Sequence, residues 1–191
     1  TQFSTTTKLK GSTHWVLGAA KYHGKRSDLN AATNGATSPS HDLRLALETS
    51  FTGKDSLVTR LRSGNMSNIY GGGGAGLLGQ EYGVDTGGRV VIDRLFYSFP
   101  VGEDFTVVGG PGVRMDNMLP VWPSAYPSDM TMDFFTYAGA PGAYNLALGA
   151  RAGVWRNTDG GCSISTSYLS ANGHLSNPNE GGLATDGAGS S

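Results

Sequence analysis

The sequence predicts an all-β fold, an antiparallel transmembrane β-barrel to which this chain contributes about seven strands. Three observations predict it. Apolar and polar residues alternate with a period of two, as in strands whose two faces meet different surroundings. The alternating segments are about 10–14 residues long, and a tilted membrane-spanning strand needs about 9–11. Short turns alternate with long loops, as in outer-membrane barrels with periplasmic turns and external loops.

The alternation is clearest in the first predicted hairpin. Within the segment 41–51, Leu43 and Leu45 fall on one face, and Asp42 and Arg44 fall on the other. Because successive side chains of a strand point to opposite faces, this pattern indicates one apolar and one charged face. The same pattern recurs along most of the chain. The predicted strands are 7–22, 41–51, 56–65, 89–101, 105–114, 146–157 and 162–172.

The connections between these strands are of two kinds. Tight turns are predicted at 52–55, 102–104 and 158–161. Long loops rich in Gly, Asn, Ser and Pro are predicted at 23–40, 66–88 and 115–145. A last Gly- and Ser-rich stretch, 173–191, has no predicted closing strand. Seven strands leave open edges, which lipid does not tolerate, so we expect residues 1–191 to form part of a barrel of about 16–18 strands.

The composition excludes several classes of protein. With 30 glycines, 38% apolar and 15% charged residues in 191, the chain does not resemble a helical bundle. A net charge of -1 gives no reason to expect a nucleic-acid partner. The single cysteine, Cys162, cannot form an internal disulfide or a cysteine-rich zinc site. No transmembrane helix and no signal peptide is predicted.

Basic residues predominate on the polar side of the predicted strands. A row of Arg and Lys along a pore favours anions and disfavours cations, so the pattern predicts a water-filled channel with a basic wall. The alternative is the ordinary solvated face of an antiparallel sheet. The predicted pore-lining residues are Lys8, Lys10, His14, Arg44, Glu48, Arg60, Arg62, Arg94 and Arg151.

Aromatic residues cluster beside the predicted tight turns, for example Phe51, Tyr97, Phe99 and Phe105. Membrane barrels place such aromatic girdles at the lipid–water interface. The alternative is aromatic packing at one end of a soluble sandwich. Trp155 shares the phase of the charged residues, so we expect it inside the barrel, near its base.

The loop 115–145 carries side chains that fully exposed loops rarely have, Trp122 among them. A loop of this length with apolar anchors is usually functional. It follows the fifth predicted strand, and in general porins the loop after the fifth strand folds into the barrel and narrows it. We therefore predict a constriction loop that includes Trp122 and in which Asp116, Asp129 and Asp133 face the basic wall. The alternative is an external loop packed on a neighbouring subunit.

No residue pattern supports catalysis, a cofactor or a metal. The glycine run 71–76 contains a G-x-G-x-x-G match without the strand-then-helix context of a nucleotide-binding loop. The four histidines show no metal-ligand spacing. No G-x-S-x-G nucleophile elbow is present. The sequence therefore predicts a protein without enzymatic activity, cofactor or metal.

Four segments carry a family resemblance. The runs 3–11, 43–56, 57–65 and 92–102 include Thr49-Ser50-Phe51-Thr52-Gly53-Lys54-Asp55 and Arg94-Leu95-Phe96-Tyr97-Ser98. They resemble the cyanobacterial outer-membrane porins, which are grouped with carbohydrate-selective porins and labelled iron-uptake porins. The resemblance covers most of the chain and is weakest in the long loops.

The resemblance implies a passive porin of the cyanobacterial outer membrane, in contact with lipid and expected as a homotrimer. It implies an S-layer-homology domain upstream, which binds the cell-wall polymer, and further barrel strands, both outside this chain. It assigns inward positions to Lys8, Lys10, Arg44, Arg60, Arg62 and Arg94, and no catalytic residue.

The expected function is diffusion of inorganic ions and small hydrophilic solutes, selected by pore width and charge. Two alternatives stay open at this point. One is a soluble extracellular carbohydrate-binding β-sandwich, and the other is a non-conducting barrel that links the outer membrane to the cell wall. The candidate solutes are iron, other inorganic ions and sugars.

Overall fold

A computed structural model confirms an all-β, antiparallel fold. Eight strands form one sheet in chain order, each paired with its neighbours in sequence, and the sheet is open because β1 and β8 stand at opposite edges. The strands are β1 (Thr7–Gly18), β2 (Ser38–Thr49), β3 (Ser56–Gly64), β4 (Val91–Val101), β5 (Phe105–Val113), β6 (Gly149–Asn157), β7 (Ser163–Ser170) and β8 (Ala188–Ser190). The structure describes residues 6–24, 27–66, 84–122, 125, 148–157, 161–177, 179, 181–183 and 188–190.

Seven of these strands match the predicted ones, with differences at their ends. They are 8–12 residues long, somewhat shorter than expected. β1 ends at Gly18, although the sequence alternation continues to residue 22. Gly18 pairs with Ser38, the first residue of β2, so the residues after Gly18 have no partner on β2. The predicted loop 23–40 contains a short helix, α1 (Ser27–Ala31). The prediction of no strand in 173–191 was wrong, since β8 pairs with β7 there.

Within the residues described, no helix has the length and apolar character needed to cross a membrane.

The β2–β3 turn is organised by the carboxylate of Asp55. It accepts hydrogen bonds from the backbone N–H of Phe51 and Thr52 at 3.0 and 2.7 Å. It also accepts from the hydroxyls of Ser50, Thr52 and Tyr97, the last at 2.6 Å. Tyr97 lies on β4, so the turn is tied to a third strand. These donors, the Tyr97 hydroxyl foremost, hold the pKa of Asp55 below its usual range.

The pairing register gives the sheet two different faces. Ser12 lies opposite Arg44, and Arg44 lies opposite Arg62, so basic residues of successive strands share one side. We call this side the charged face; it carries Lys8, Lys10, His14, Arg44, Glu48, Arg60, Arg62, Arg94 and Arg151. We call the other side the apolar face; it carries Leu9, Trp15, Leu17, Leu43, Leu45, Leu57, Leu61, Leu95 and Ile164.

A small apolar cluster packs on the charged face, across β3 to β6. It is covered by the segment 114–118 after β5, which includes a 3-10 helix (Met115–Asn117) and folds back over the face. Met118 packs against β6 at Gly153, which has no side chain. A Cβ at residue 153 would lie 2.9 Å from the Met118 sulfur. The cluster consists of Phe96, Val108, Val113 and Met118, with Val58 and Trp155 packed against it.

Candidate functional site

The candidate site is a network of arginines and aspartates on the charged face, beginning at Asp42 on β2. Asp42 is fully buried and accepts hydrogen bonds from two arginines. Arg44, two residues along the same strand, donates from Nε at 3.0 Å and from Nη2 at 2.8 Å. Arg62 on β3 donates from Nε at 2.9 Å and from Nη2 at 2.7 Å. The carboxylate therefore holds two guanidinium groups side by side across the strand pair.

Asp93 is the second carboxylate of the network, and a β-bulge places it there. Arg60 pairs with Arg94 in the β3–β4 register, but the next pair is Leu61 with Ile92, so Asp93 is an extra residue. Arg60 donates from Nε to Asp93 at 2.6 Å and also forms an ion pair with it. Nη1 of Arg94 lies 3.1 Å from Asp93, and Nη1 of Arg62 lies 3.6 Å away.

Arg94 connects the network to the segment that folds over the charged face. Its Nε donates to the side-chain oxygen of Asn117 at 3.0 Å. In the same segment, the Arg114 guanidinium lies 3.5 Å from the carboxylate of Asp116. Asp116 is close enough to Arg94 and Arg151 to act electrostatically on both. Asp116 thus lies close to basic residues of the charged face, while its role in a constriction stays a prediction.

The network is buried and positively charged. Arg44, Arg62 and Arg114 are each about 8% exposed, and Arg94 is 2% exposed. Six arginines stand against three aspartates, so the formal charge is positive, and a row of such charges disfavours cations. Paired hydrogen bonds to Asp42 fix the guanidinium planes of Arg44 and Arg62, which makes this part of the wall rigid. The members are Arg44, Arg60, Arg62, Arg94, Arg114, Arg151, Asp42, Asp93 and Asp116.

The remaining predicted pore-lining residues lie on the same face toward the β1 edge, outside the buried network. Lys10 is exposed and forms an ion pair with Glu48 at 2.5 Å. Lys8 lies opposite Glu48 in the register, and His14 lies opposite Asp42. The structure brings all nine predicted residues to one face, while their role in lining a pore stays a prediction.

Of the other predicted constriction residues, Trp122 is partly buried. Asp129 and Asp133 lie outside the described residues.

Sequence reasoning missed Asp93 and Arg114. Strict alternation assigns Asp93 to the phase opposite Arg94, and only the bulge brings both to the same network. Arg114 was assigned to the end of a strand, whereas β5 ends at Val113 and Arg114 turns into the covering segment. The Asp93-Arg94 and Arg114-Met115-Asp116 runs place opposite charges close in sequence, which is the only signal that could have suggested their pairing.

The apolar face contrasts with the network in its exposure. Trp15 is 83% exposed, Leu17 75% and Ile164 71%. Its end near the short turns carries aromatic pairs: Tyr97 stacks on Phe99 with ring centroids 5.3 Å apart and meets Phe51 edge-on.

Comparison with known proteins finds two relatives. An uncharacterised protein of Nostoc sp. is 29% identical over 94% of this chain, and an uncharacterised protein of Synechocystis sp. is 32% identical over 62% of it. The chain spans about a third of the length of the first relative and about a fifth of the second. No family model matches the sequence. No solved structure matches it.

Proposed function

We propose that this chain forms part of an outer-membrane porin, a passive diffusion channel for inorganic ions and small hydrophilic solutes. The charged face lines the water-filled lumen, and the apolar face contacts lipid. No covalent step and no energy coupling is involved. Selection depends on the width of the lumen and on the charge of its wall.

One observation carries the proposal: charged side chains of β2 to β6 are buried, while the apolar face is exposed or half-buried. Asp42 and Arg94 are at most 2% exposed, while Trp15 is 83% exposed. A sheet that packs in a water-soluble protein has the reverse distribution. Burying one Leu or Ile side chain contributes roughly 1.5–3 kcal/mol, so an apolar face of this extent favours contact with lipid or with another apolar surface. Strands of 8–12 residues suit a tilted passage through a bilayer of ordinary thickness.

Further support comes from the segment after β5. In the proposed barrel it enters the lumen, and Met118 and Asn117 hold it against β6 and Arg94. It brings Asp116 in front of the arginines, which sets acidic against basic groups across a narrowed part of the lumen. Solutes then pass between this segment and the remaining wall.

The proposal includes a larger assembly. A membrane-spanning sheet cannot leave the edges of β1 and β8 unpaired in lipid, so further strands close the barrel. We place the protein in a cyanobacterial outer membrane as a homotrimer, with a cell-wall-binding domain outside this chain. The origin of both relatives, Nostoc and Synechocystis, agrees with the sequence resemblance to cyanobacterial porins.

The deciding experiment is single-channel recording of the detergent-extracted full-length protein in a planar bilayer, with a salt gradient to give the reversal potential. Stable open steps with an anion-biased reversal potential are expected, because the network is positively charged. Protein that dissolves without detergent and does not insert would contradict the proposal and favour the soluble sandwich.

A second candidate is a barrel that does not conduct and joins membrane to cell wall. The observation that favours it is the filling of the charged face, where Val113, Met115 and Met118 are buried against the sheet. Insertion without any open steps in the same recording would support this candidate over the porin.

A further inference from the structure

Arg151 lies on the charged face, and none of its nearest neighbours across or along the strands is a carboxylate. Its cross-strand neighbours are Gly110 on β5 and Leu169 on β7. Its same-face neighbours along β6 are Gly149 and Gly153. None of these four side chains can accept a hydrogen bond, whereas Arg44, Arg60 and Arg62 each meet an aspartate.

Arg151 and Arg94 are buried guanidinium groups that retain unused donors. Arg151 is 5% exposed, and its Nε and Nη1 have no hydrogen-bond partner among the residues that the structure describes. Arg94 is 2% exposed; Nη1 and Nε are engaged, but within the same described residues Nη2 has no partner. Buried donors without acceptors are rare and costly, so a group in their vicinity is expected to supply acceptors.

The surroundings favour an anion. The 114–118 segment lies beside both arginines: Asn117 accepts a hydrogen bond from Arg94, and Met118 lies against Gly153, two residues from Arg151 on β6. Its Asp116 carboxylate has a buried oxygen without a hydrogen-bond partner among the described residues and faces Arg114 at 3.5 Å. Three arginines thus surround one carboxylate, so positive charges outnumber negative ones here. A guanidinium fork matches an anion with several oxygen acceptors and binds it through two parallel hydrogen bonds. Chloride offers no such pair of acceptors.

We propose that Arg151 and Arg94 form a binding site for an inorganic oxyanion of the phosphate or sulfate class, within the wall beside the 114–118 segment. The inference rests on the proposed channel, since the lumen is the route by which the anion reaches the site. It adds a saturable, oxyanion-selective step to passage that is otherwise determined by width and overall charge.

The test uses the full-length protein in a planar bilayer, with chloride as the permeant ion and inorganic phosphate added in steps. Phosphate is expected to reduce the chloride current in a saturable manner. Arg151→Gln is expected to raise the half-blocking phosphate concentration by about tenfold, because it removes charge-assisted hydrogen bonds. Arg156→Gln is the matched control: Arg156 lies on the same strand but on the other face, paired with Asp104 at 2.7 Å.

A second variant and a second measurement keep the result interpretable. Arg151→Lys keeps the charge and removes the fork, so it is expected to weaken phosphate block as well; block like that of the wild type would contradict recognition by the fork. Equilibrium dialysis of labelled phosphate against detergent-solubilised protein, with sulfate as competitor, reports binding without conductance.

The two proposals fail in different ways. A conducting wild-type channel whose chloride current is insensitive to phosphate and sulfate overturns the oxyanion site and leaves the porin standing. Absence of conductance overturns the porin, while saturable binding in dialysis that Arg151→Gln abolishes still supports the site. Equal effects of Arg151→Gln and Arg156→Gln contradict it.

Discussion

Arg62 binds Asp42 through two parallel hydrogen bonds that cross the β2–β3 pair, one to each carboxylate oxygen, at 2.9 and 2.7 Å. Because Arg44 shares the same carboxylate, three charged side chains form one rigid unit. The Asp42 carboxylate neutralises charge and also fixes the planes of two guanidinium groups on the charged face.

Asp42→Asn is expected to lower the free energy of unfolding by about 3–5 kcal/mol, because it leaves two buried guanidinium groups without their shared counter-charge. Urea unfolding in lipid vesicles, followed by tryptophan fluorescence, measures this. Asp104→Asn is the control: the exposed Asp104–Arg156 pair is expected to contribute less than about 1 kcal/mol. Equal losses in both variants would refute the structural role of Asp42.

The overall charge of the lumen is best altered at Lys8 and Lys10. Both are exposed on the charged face, so water and salt screen a glutamate there from the neighbouring Glu48. Glutamate at Arg60 or Arg62 would instead face Asp93 or Asp42 within the network and disrupt the fold. Lys8→Glu with Lys10→Glu is expected to move the reversal potential toward cations. Each unit of charge changed is expected to alter the permeability of an anion or of a cation by about two- to threefold, since a unit charge about 8 Å away in water contributes roughly 0.5 kcal/mol.

The matched control for this change is Lys54→Glu. Lys54 is an exposed lysine in the β2–β3 turn, outside the charged face. It is expected to leave the reversal potential as in the wild type, and an equal shift in this variant would contradict a lumen on the charged face.

Asp55 predicts a loss of stability in acid. Its pKa is lowered in the folded protein, so folding binds fewer protons at this group and stability rises with pH. The contribution is complete above the ordinary carboxyl pKa of about 4 and is lost as pH falls through the lowered value. Between about pH 5 and about pH 3, wild-type protein is therefore expected to lose more unfolding free energy than Asp55→Asn.

The partner variant for this test is Tyr97→Phe, which removes the 2.6 Å hydrogen bond to Asp55. Its acid-induced loss of stability is expected to fall between those of the wild type and Asp55→Asn. Identical pH profiles in all three proteins would show that the turn does not depend on this carboxylate.

Gly110 is a position where β4 and β5 approach too closely for a side chain. A Cβ there would lie 2.4 Å from the backbone oxygen of Leu95 and 2.6 Å from the Cα of Phe96. Gly110→Ala is expected to cost about 1–3 kcal/mol of unfolding free energy. At Gly109 the nearest atom would be the Arg151 carbonyl oxygen at 3.7 Å, so Gly109→Ala is the tolerated control. A stable Gly110→Ala protein would contradict the close β4–β5 approach.

Cys162 tests the orientation of the barrel. It is exposed beside the β6–β7 turn, at the end of the sheet that carries the short turns, and the proposal places that end in the periplasm. A membrane-impermeant maleimide is expected to label it only after the outer membrane is permeabilised. In a Cys162→Ser background, Lys21→Cys, which lies beyond β1 at the opposite end, is expected to be labelled on intact cells. The reverse pattern would invert the orientation.

Much of the architecture was predictable because alternation is a local property. Leu43, Leu45 and Leu47 reveal one face of β2 without knowledge of any other strand, and the same holds for the seven main strands. The common face of the basic residues followed from the same phase. The β8 strand was not predictable, because three residues, Ala188–Ser190, carry no detectable period.

Most arginines of the candidate site were predictable from the sequence, but the ion pairs that they form were not. Arg60, Arg62 and Arg94 were identified by phase, whereas their shared partner Asp93 was not identified, because strict alternation places it in the phase opposite Arg94. A bulge inserts one residue into one strand only, and the alternation of that strand alone does not reveal which residue is extra.

The sequence by itself determined the seven main strands and the separation of charged from apolar faces, because these depend on side-chain period. Only the tertiary structure decided which carboxylate meets which arginine, and that Met118 brings its segment back over Gly153. Those contacts join residues far apart in the chain. They depend on the register between strands and on the space left by the absent side chain of Gly153. Neither can be predicted from the residue pattern of a single segment.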